Sequence, residues 1–175
     1  MTRVREMRDL IARLVHSPRG KPTITREEFL RFAQSSNGAD LSASLLQEAV
    51  DAHSSDDVAL ALIVAFQFDI SGVHIPLLVS LGFSDWHKSH EDVVEALSGL
   101  RDPTTLAVLI YLANHIPEYL NWDESRALAR KAIWAIGEIP GEKSRRALDG
   151  LSKSDDEIVR ESALEQIERW RGSGC

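Results

Sequence analysis

The sequence has 175 residues, 43% of them hydrophobic and 27% charged, which is the balance of a soluble globular protein. This length supports one domain with a sizeable core and is short for two, so we expect a single domain over residues 1–175. Its one cysteine, Cys175, excludes an internal disulfide and a zinc site built from several thiolates. No apolar run approaches the roughly 18 residues that span a bilayer, and residues 1–6 do not resemble a signal peptide, so we expect a cytoplasmic protein.

The negative charge is concentrated in the middle of the chain. The net charge is −7. Residues 1–34 carry eight basic against four acidic side chains, residues 35–124 carry two against fourteen, and residues 125–175 carry ten against nine. An acidic surface repels phosphate backbones and attracts cationic proteins. We therefore expect a basic protein partner, and neither a nucleic acid nor a membrane.

Apolar residues at helical spacing predict three helices in the first 54 residues. The first, over 3–15, is indicated by Val4, Met7, Ile11 and Leu14. Proline and glycine within residues 16–22 end it. Thr25 and Glu28 have the spacing of a capping box before a second helix, and Leu41–Ala52 is predicted as a third. We interpret residues 1–54 as a helical cap, because the end of a repeat array otherwise exposes an apolar face.

Val58–Phe68 has almost no polar residue, and its composition suits a buried strand or a buried helix. Ser54 to Asp57 are typical of a helix N-terminus, and eleven residues is long for a strand, so we predict a central helix that is buried on most sides. The remaining predicted helices are Val73–Leu81, His90–Leu97, Pro103–Asn114, Ser125–Gly137, Glu142–Ser152 and Asp155–Trp170. The fold class is therefore predicted to be all-α, with about ten helices.

The C-terminal third contains an internal repeat. A shift of 31 positions superposes two sets of apolar residues at four-residue spacing: Leu128, Ala132 and Ile136 on Val159, Ala163 and Ile167. Each set lies on one face of a helix, and that face is covered by a neighbouring unit when helix pairs stack. The sequence thus predicts a short α-solenoid over residues 55–170, followed by a flexible tail at 171–175.

Residues 127–167 resemble the short bacterial kind of HEAT-like repeat. Val159 and Arg160 match the Val-Arg pair that opens the second helix of such a repeat, and residues 132–137 match its Ala-x-x-Ala-apolar-Gly run. The resemblance is good over about 123–170 and partial over about 56–112. It implies an α-solenoid of helix pairs. Small acidic proteins of this build are similar to bacterial immunity proteins, which bind and neutralise a toxin domain that is often a basic nuclease.

Acidic clusters recur at the turns that precede helices. Each has a local explanation, because Ser, Asp and Glu in a first turn satisfy free amides and complement the helix dipole. Equivalent turns stack along one edge of a solenoid, so the clusters together predict an acidic ridge, and the inserted segment 115–121 lengthens the same edge. The candidate partner-binding residues of this acidic ridge are Asp56, Asp57, Asp85, Trp86, Glu91, Asp92, Glu95, Glu118, Tyr119, Trp122, Asp123 and Glu124.

The tryptophans divide into two pairs. Trp86 and Trp122 stand in polar turns, where exposure and burial are equally compatible with the sequence. Exposed aromatic rings beside carboxylates are typical of protein-binding hot spots. Trp134 and Trp170 stand at helical spacing among apolar residues, and we predict that they pack in the core or at its end. Basic residues near them are predicted to pair with Glu138, Glu142 and neighbouring acids; they are Arg126, Arg130, Lys131, Arg145 and Arg146.

Motifs for catalysis and metal binding are weak. His87 and His90 lie three positions apart with acids nearby, but two histidines are poor support for a metal site, and solvated loop histidines are the preferred interpretation. The sequence has no nucleophile elbow and no phosphate-binding loop. We predict no cofactor, no metal and no enzymatic activity.

The sequence therefore favours a non-catalytic protein-binding module, and most specifically an immunity protein that pairs one-to-one with a basic nuclease-type toxin domain. A HEAT-like adaptor for another basic protein has the same charge pattern. A cofactor-handling protein similar to HEAT-like bilin lyases is a further alternative, and it requires a tetrapyrrole pocket that the sequence does not locate. A HEAT-like DNA glycosylase requires a basic concave face, which the acidic middle of the chain opposes.

Overall fold

The computed structural model describes residues 2–15 and 20–172. Helices account for 72% of the structure, and the described residues form eleven α-helices and three short 3-10 helices, with no β-strand. This confirms the all-α prediction. Within the same residues, no helix combines the length and the apolar composition that a membrane span requires.

The chain divides into two compact units. Unit 1 lies within residues 1–77 and 86–89, and unit 2 within residues 78–85 and 90–175. The α-helices of unit 1 are α1 (Arg3–Glu6), α2 (Arg8–Leu14), α3 (Arg26–Phe32), α4 (Gly38–Asp51) and α5 (Ser55–Gln67). A 3-10 helix at Gly72–His74 leads into α6 (Ile75–Gly82), which crosses the boundary between the units. The single domain expected from length stays a prediction.

The core of unit 1 is built on α4 and α5, which pack together, while α1 contacts both. Thr25 and Glu28 form the predicted capping box of α3, and the Asn37 side chain accepts two backbone N–H groups at the start of α4. These caps satisfy amides that the first helical turn leaves without partners. The fully buried side chains include Phe29, Ile11, Leu45, Leu46 and Leu62.

Unit 2 is centred on α9, which contacts α7, α8, α10 and α11. Its α-helices are α7 (His90–Leu100), α8 (Leu106–Asn114), α9 (Ala127–Glu138), α10 (Glu142–Leu151) and α11 (Glu157–Gly172). Two 3-10 helices, at Pro103–Thr105 and Glu118–Leu120, precede α8 and α9. The core contains the residues of the sequence repeat, among them Ala132, Ile136, Val159 and Ala163, which are fully buried.

Several local predictions differ from the structure. The first predicted helix is divided at Met7, whose backbone (φ −88°, ψ 3°) leaves helical geometry between α1 and α2. Helix α5 is less enclosed than predicted, because Ile63 and Phe66 are both more than a third exposed. Helix α11 continues to Gly172, so the first two residues of the predicted tail are helical. Residues 16–19 of the first predicted break and residues 173–175 lie outside the described residues.

Candidate interaction surface

The most exposed large apolar side chain among the described residues is Trp122, at 77%. Its position is fixed from within the chain: the indole Nε1–H donates to the carbonyl oxygen of Tyr119 at 2.9 Å. Leu120, in the preceding 3-10 helix, is buried and anchors the turn, and the Asp123 amide donates to the Leu120 carbonyl at 2.9 Å. An aromatic ring that is exposed and held in one place loses little conformational freedom when a partner covers it.

The free charges around Trp122 are negative. Glu118 and Glu124 are exposed, and neither forms an ion pair within residues 2–15 and 20–172. The nearest basic side chain in sequence, Arg126, is directed inward, where it pairs with Asp156 and donates to the carbonyl of Ala113. The turn therefore offers an aromatic ring beside two unpaired carboxylates.

Asp123 has a structural role in the same turn. It accepts hydrogen bonds from the Ser125 hydroxyl and from the Ala127 amide, the latter at 2.7 Å. These bonds, with the Ser125 bond as the largest contribution, lower the pKa of Asp123. The capping interpretation of acidic turns thus applies to Asp123, because its carboxylate accepts the first backbone amide of α9.

The acids at the start of α7 are partly neutralised by a lysine. The Nζ atom of Lys131 lies 2.8 Å from Oε2 of Glu91. This bond raises the pKa of Lys131, and the charges of Glu95 and Asp92 raise it further. Asp92 is exposed as a residue, but removal of water from its carboxylate raises its pKa, against the lowering effect of Lys131. The α7 acids therefore hold an internal cation, unlike those beside Trp122.

A set of aromatic and histidine side chains connects the inserted segment to α7. The Tyr119 hydroxyl accepts from the His90 amide at 3.2 Å, and His90 Nε2 donates to the Ser84 carbonyl at 2.9 Å. Because that carbonyl only accepts, Nε2 carries the proton, and in the neutral ring Nδ1, 3.2 Å from the Tyr119 oxygen, accepts from the hydroxyl. Burial, with added effects of nearby acids, raises the pKa of Tyr119.

A second contact joins the insertion to the loop before α7. His115 Nε2 lies 2.7 Å from Asp85 Oδ1, and the His115 ring stacks on Tyr111 with centroids 4.8 Å apart. Burial, followed by the Asp85 charge, raises the pKa of Tyr111. Within unit 2, His115 thus links Asp85 to Tyr111, and Tyr119 links His90 to the Trp122 indole.

Three predicted ridge residues lie in unit 1: Asp56, Asp57 and Trp86. Asp56 is exposed, but the Asp57 side chain is only 2% exposed, so its assignment to a contact surface is wrong. Asp57 accepts from the Thr2 hydroxyl at 2.6 Å and from Arg5 Nε at 3.1 Å. Burial alone raises its pKa, but hydrogen bonds from Thr2, Ser54 and Arg5 outweigh that effect and lower it. Its role is to fasten α1 to the start of α5.

The two tryptophans of each pair differ in exposure, and the prediction for Trp134 is wrong. Trp86 is partly buried and stacks on the His53 ring, with centroids 4.8 Å apart. Trp134, predicted to be core, is 50% exposed. Trp170 is partly buried as predicted, and its Nε1–H donates to the Gly137 carbonyl at 2.7 Å. Apolar spacing around Trp134 identified the buried face of α9 correctly, but the ring itself stands beside that face.

The basic residues pair only partly as predicted. Arg146 forms an ion pair with Glu142 on the same helix, as predicted. Glu138 instead forms ion pairs with Arg101 and Arg169, which were not among the predicted basic residues. Among the described residues, no group of three or more His, Cys, Asp or Glu side chains is arranged to hold a metal ion. Cys175 lies outside those residues.

Comparisons with known proteins assign this chain to no family. No protein-family model, curated protein or solved structure matches this chain. The contacts described above are therefore the basis for assigning a function.

Proposed function

We propose that this chain is a non-catalytic protein-binding module that engages a basic protein through the acidic ridge of unit 2. The observation that carries the proposal is Trp122, which is 77% exposed and held by its indole hydrogen bond beside Glu118 and Glu124, two acids that form no ion pair within the described part of the chain. Aromatic anchors surrounded by charge that complements the partner dominate many interfaces.

The α-solenoid is part of the same proposal. Within unit 2, α9 packs against both α7 and α11, while α8 and α10 contact each other as well as α9. Contacts between alternate helices, such as α7 with α9 and α9 with α11, are what stacked helix pairs produce. This arrangement supports the HEAT-like interpretation of the sequence, in which turns between helices supply the binding edge.

The most specific form of the proposal is an immunity protein for a nuclease-type toxin. A nuclease needs a basic surface to hold its phosphate backbone, and an acidic inhibitor competes for that surface while electrostatic attraction accelerates association. An adaptor for another basic protein uses the same surface without blocking catalysis. The two functions differ in whether a nuclease partner loses activity in the complex.

The test first asks whether a gene beside that of this chain encodes a basic nuclease-type toxin domain, and it then titrates that domain against the chain by calorimetry and assays its nuclease activity. We expect Glu118→Lys/Glu124→Lys and Trp122→Leu each to weaken binding by tenfold or more, an estimate of about 1.4 kcal/mol. Asp123 is left intact because its carboxylate accepts the first backbone amide of α9.

The matched control is Glu161→Lys/Glu165→Lys, which makes the same charge change on two exposed positions of α11. Undiminished affinity in the folded Glu118→Lys/Glu124→Lys variant removes the acidic ridge as the binding site. Binding that leaves nuclease activity unchanged favours the adaptor, and a coloured ligand that copurifies with the chain favours the cofactor-handling alternative.

A further inference from the structure

Unit 2 contains a groove of about 1010 Å³ between α7 and α9. An ion pair spans it at each end: Lys131 with Glu91 near the start of α7, and Arg101 with Glu138 after its end, at 2.8 Å and 2.9 Å. At 1.5 Å per helical residue, roughly 15 Å of α7 separate the two pairs. This size is in the range of small-molecule sites.

The walls of the groove differ in chemistry. On the α7 side, Ser98 and Gly99 are small, and a Cβ atom added at Gly99 meets nothing within 4 Å. On the α9 side stands Trp134, half of whose surface is exposed. The other α7 residues that line the groove are Val94, which is buried, and Glu95, which is exposed.

Trp134 is held in place from the neighbouring helix. The guanidinium carbon of Arg169 lies 4.3 Å from the Trp134 ring centroid, and Arg169 is itself paired with Glu138 at 2.7 Å. A cation over one face of an indole orients the ring. The exposed remainder of the ring forms a fixed aromatic wall, which favours stacking with a planar group.

Among the residues that the structure describes, one cation of the groove has no carboxylate partner. Arg130, one helical turn before Trp134 on the same face of α9, is exposed and forms no ion pair within residues 2–15 and 20–172. The other two cations that line the groove, Lys131 and Arg101, are paired with carboxylates. A guanidinium beside an aromatic wall complements an anionic group attached to a ring.

We infer that the groove between α7 and α9 binds a small planar aromatic anion, with its ring against Trp134 and its anionic group on Arg130. The groove shares Glu95 with the candidate residues of the acidic ridge, but no residue of the Trp122 turn lines it, and the inference does not depend on the proposed protein partner.

The test compares two dyes that share one ring system, 1-anilinonaphthalene-8-sulfonate and the uncharged N-phenyl-1-naphthylamine, by fluorescence titration of the full chain. We expect one saturable site for the sulfonate. Gly99→Leu adds an apolar side chain to the groove wall, at a position where a Cβ atom has open space, and should abolish binding of both dyes, whereas Gly150→Leu, at another exposed helical glycine with open space, should leave both unchanged.

Arg130→Gln separates charge from shape. We expect it to weaken the sulfonate about tenfold, the effect of losing one charge-assisted hydrogen bond, and to leave the uncharged dye unaffected. Arg146→Gln, on α10, removes the same charge outside the groove and should change neither dye. Thermal unfolding of each variant verifies that the fold is kept. Sulfonate binding that survives Gly99→Leu overturns the site, and equal effects of Arg130→Gln on both dyes overturn the anionic ligand class.

Discussion

Lys131 on α9 pairs with Glu91 on α7, their Nζ and Oε2 atoms 2.8 Å apart. The lysine also lies in the field of Asp92 and Glu95, so it occupies the place where a cation from a basic partner would be attracted. In the acidic ridge of unit 2, the acids of α7 therefore already hold a lysine, whereas Glu118 and Glu124 beside Trp122 pair with no cation among the described residues.

Removing that lysine should strengthen the attraction of basic ligands. We expect Lys131→Met to bind a hexa-lysine peptide about fivefold more tightly than Arg146→Met does, because one partly exposed ion pair is worth about 1 kcal/mol. Both variants lose one positive charge, so their difference measures the local effect. Calorimetry at low and high salt is the measurement, and equal affinities would mean that only net charge matters.

Asp57 should be needed for stability. We expect Asp57→Asn to lower the free energy of unfolding by about 1–3 kcal/mol, because it weakens charge-assisted bonds from Thr2 and Arg5 to a buried carboxylate. Its exposed neighbour is the control, and Asp56→Asn should cost less than about 0.5 kcal/mol. Urea unfolding measures both, and similar losses in the two variants would contradict the assigned role.

Two helical glycines should respond in opposite ways to alanine. A Cβ at Gly82 would lie 2.3 Å from Val108 Cγ2, so Gly82→Ala should destabilise by about 1–3 kcal/mol. Gly99 has open space, and Gly99→Ala should stabilise by up to about 1 kcal/mol through helix propensity. Thermal and urea unfolding measure both. Partial rescue of Gly82→Ala by Val108→Ala would show that the clash is the cause.

The buried His74 should make stability depend on pH. Burial lowers the pKa of His74, although its bond to Ser71 and the charge of Asp40 act in the opposite direction, and its Nε2 lies 2.9 Å from the Ser42 hydroxyl. The unfolded chain then binds more protons, so this contribution is complete above about pH 6.5 and is lost as the pH falls toward the folded pKa. We expect the loss between about pH 7 and pH 5.5 to be smaller in His74→Gln. An unchanged loss in urea unfolding would exclude His74 as its source.

The sequence predicted most helices because their signals are local. The capping box depends on Thr25 and Glu28, which are close in sequence, and the structure has it. The apolar spacing inside each repeated helix is equally local, and it places Ala132 and Val159 on faces that the structure buries. The 3-10 turn at Pro103–Thr105 was included in a helix because its composition differs little from a first helical turn. The site was less predictable: Trp134 is half exposed although its spacing matches buried positions.

Helix positions and the acidic middle of the chain are thus set by the order of the residues, since periodicity, capping and net charge need no distant contact. Which acids remain available was decided by tertiary structure alone. Asp57 meets Thr2 across 55 positions of sequence and becomes buried, Glu91 meets Lys131, and Glu118 and Glu124 meet no cation among the described residues. An ion pair between distant residues depends on how helices pack, and packing is a property of the whole fold.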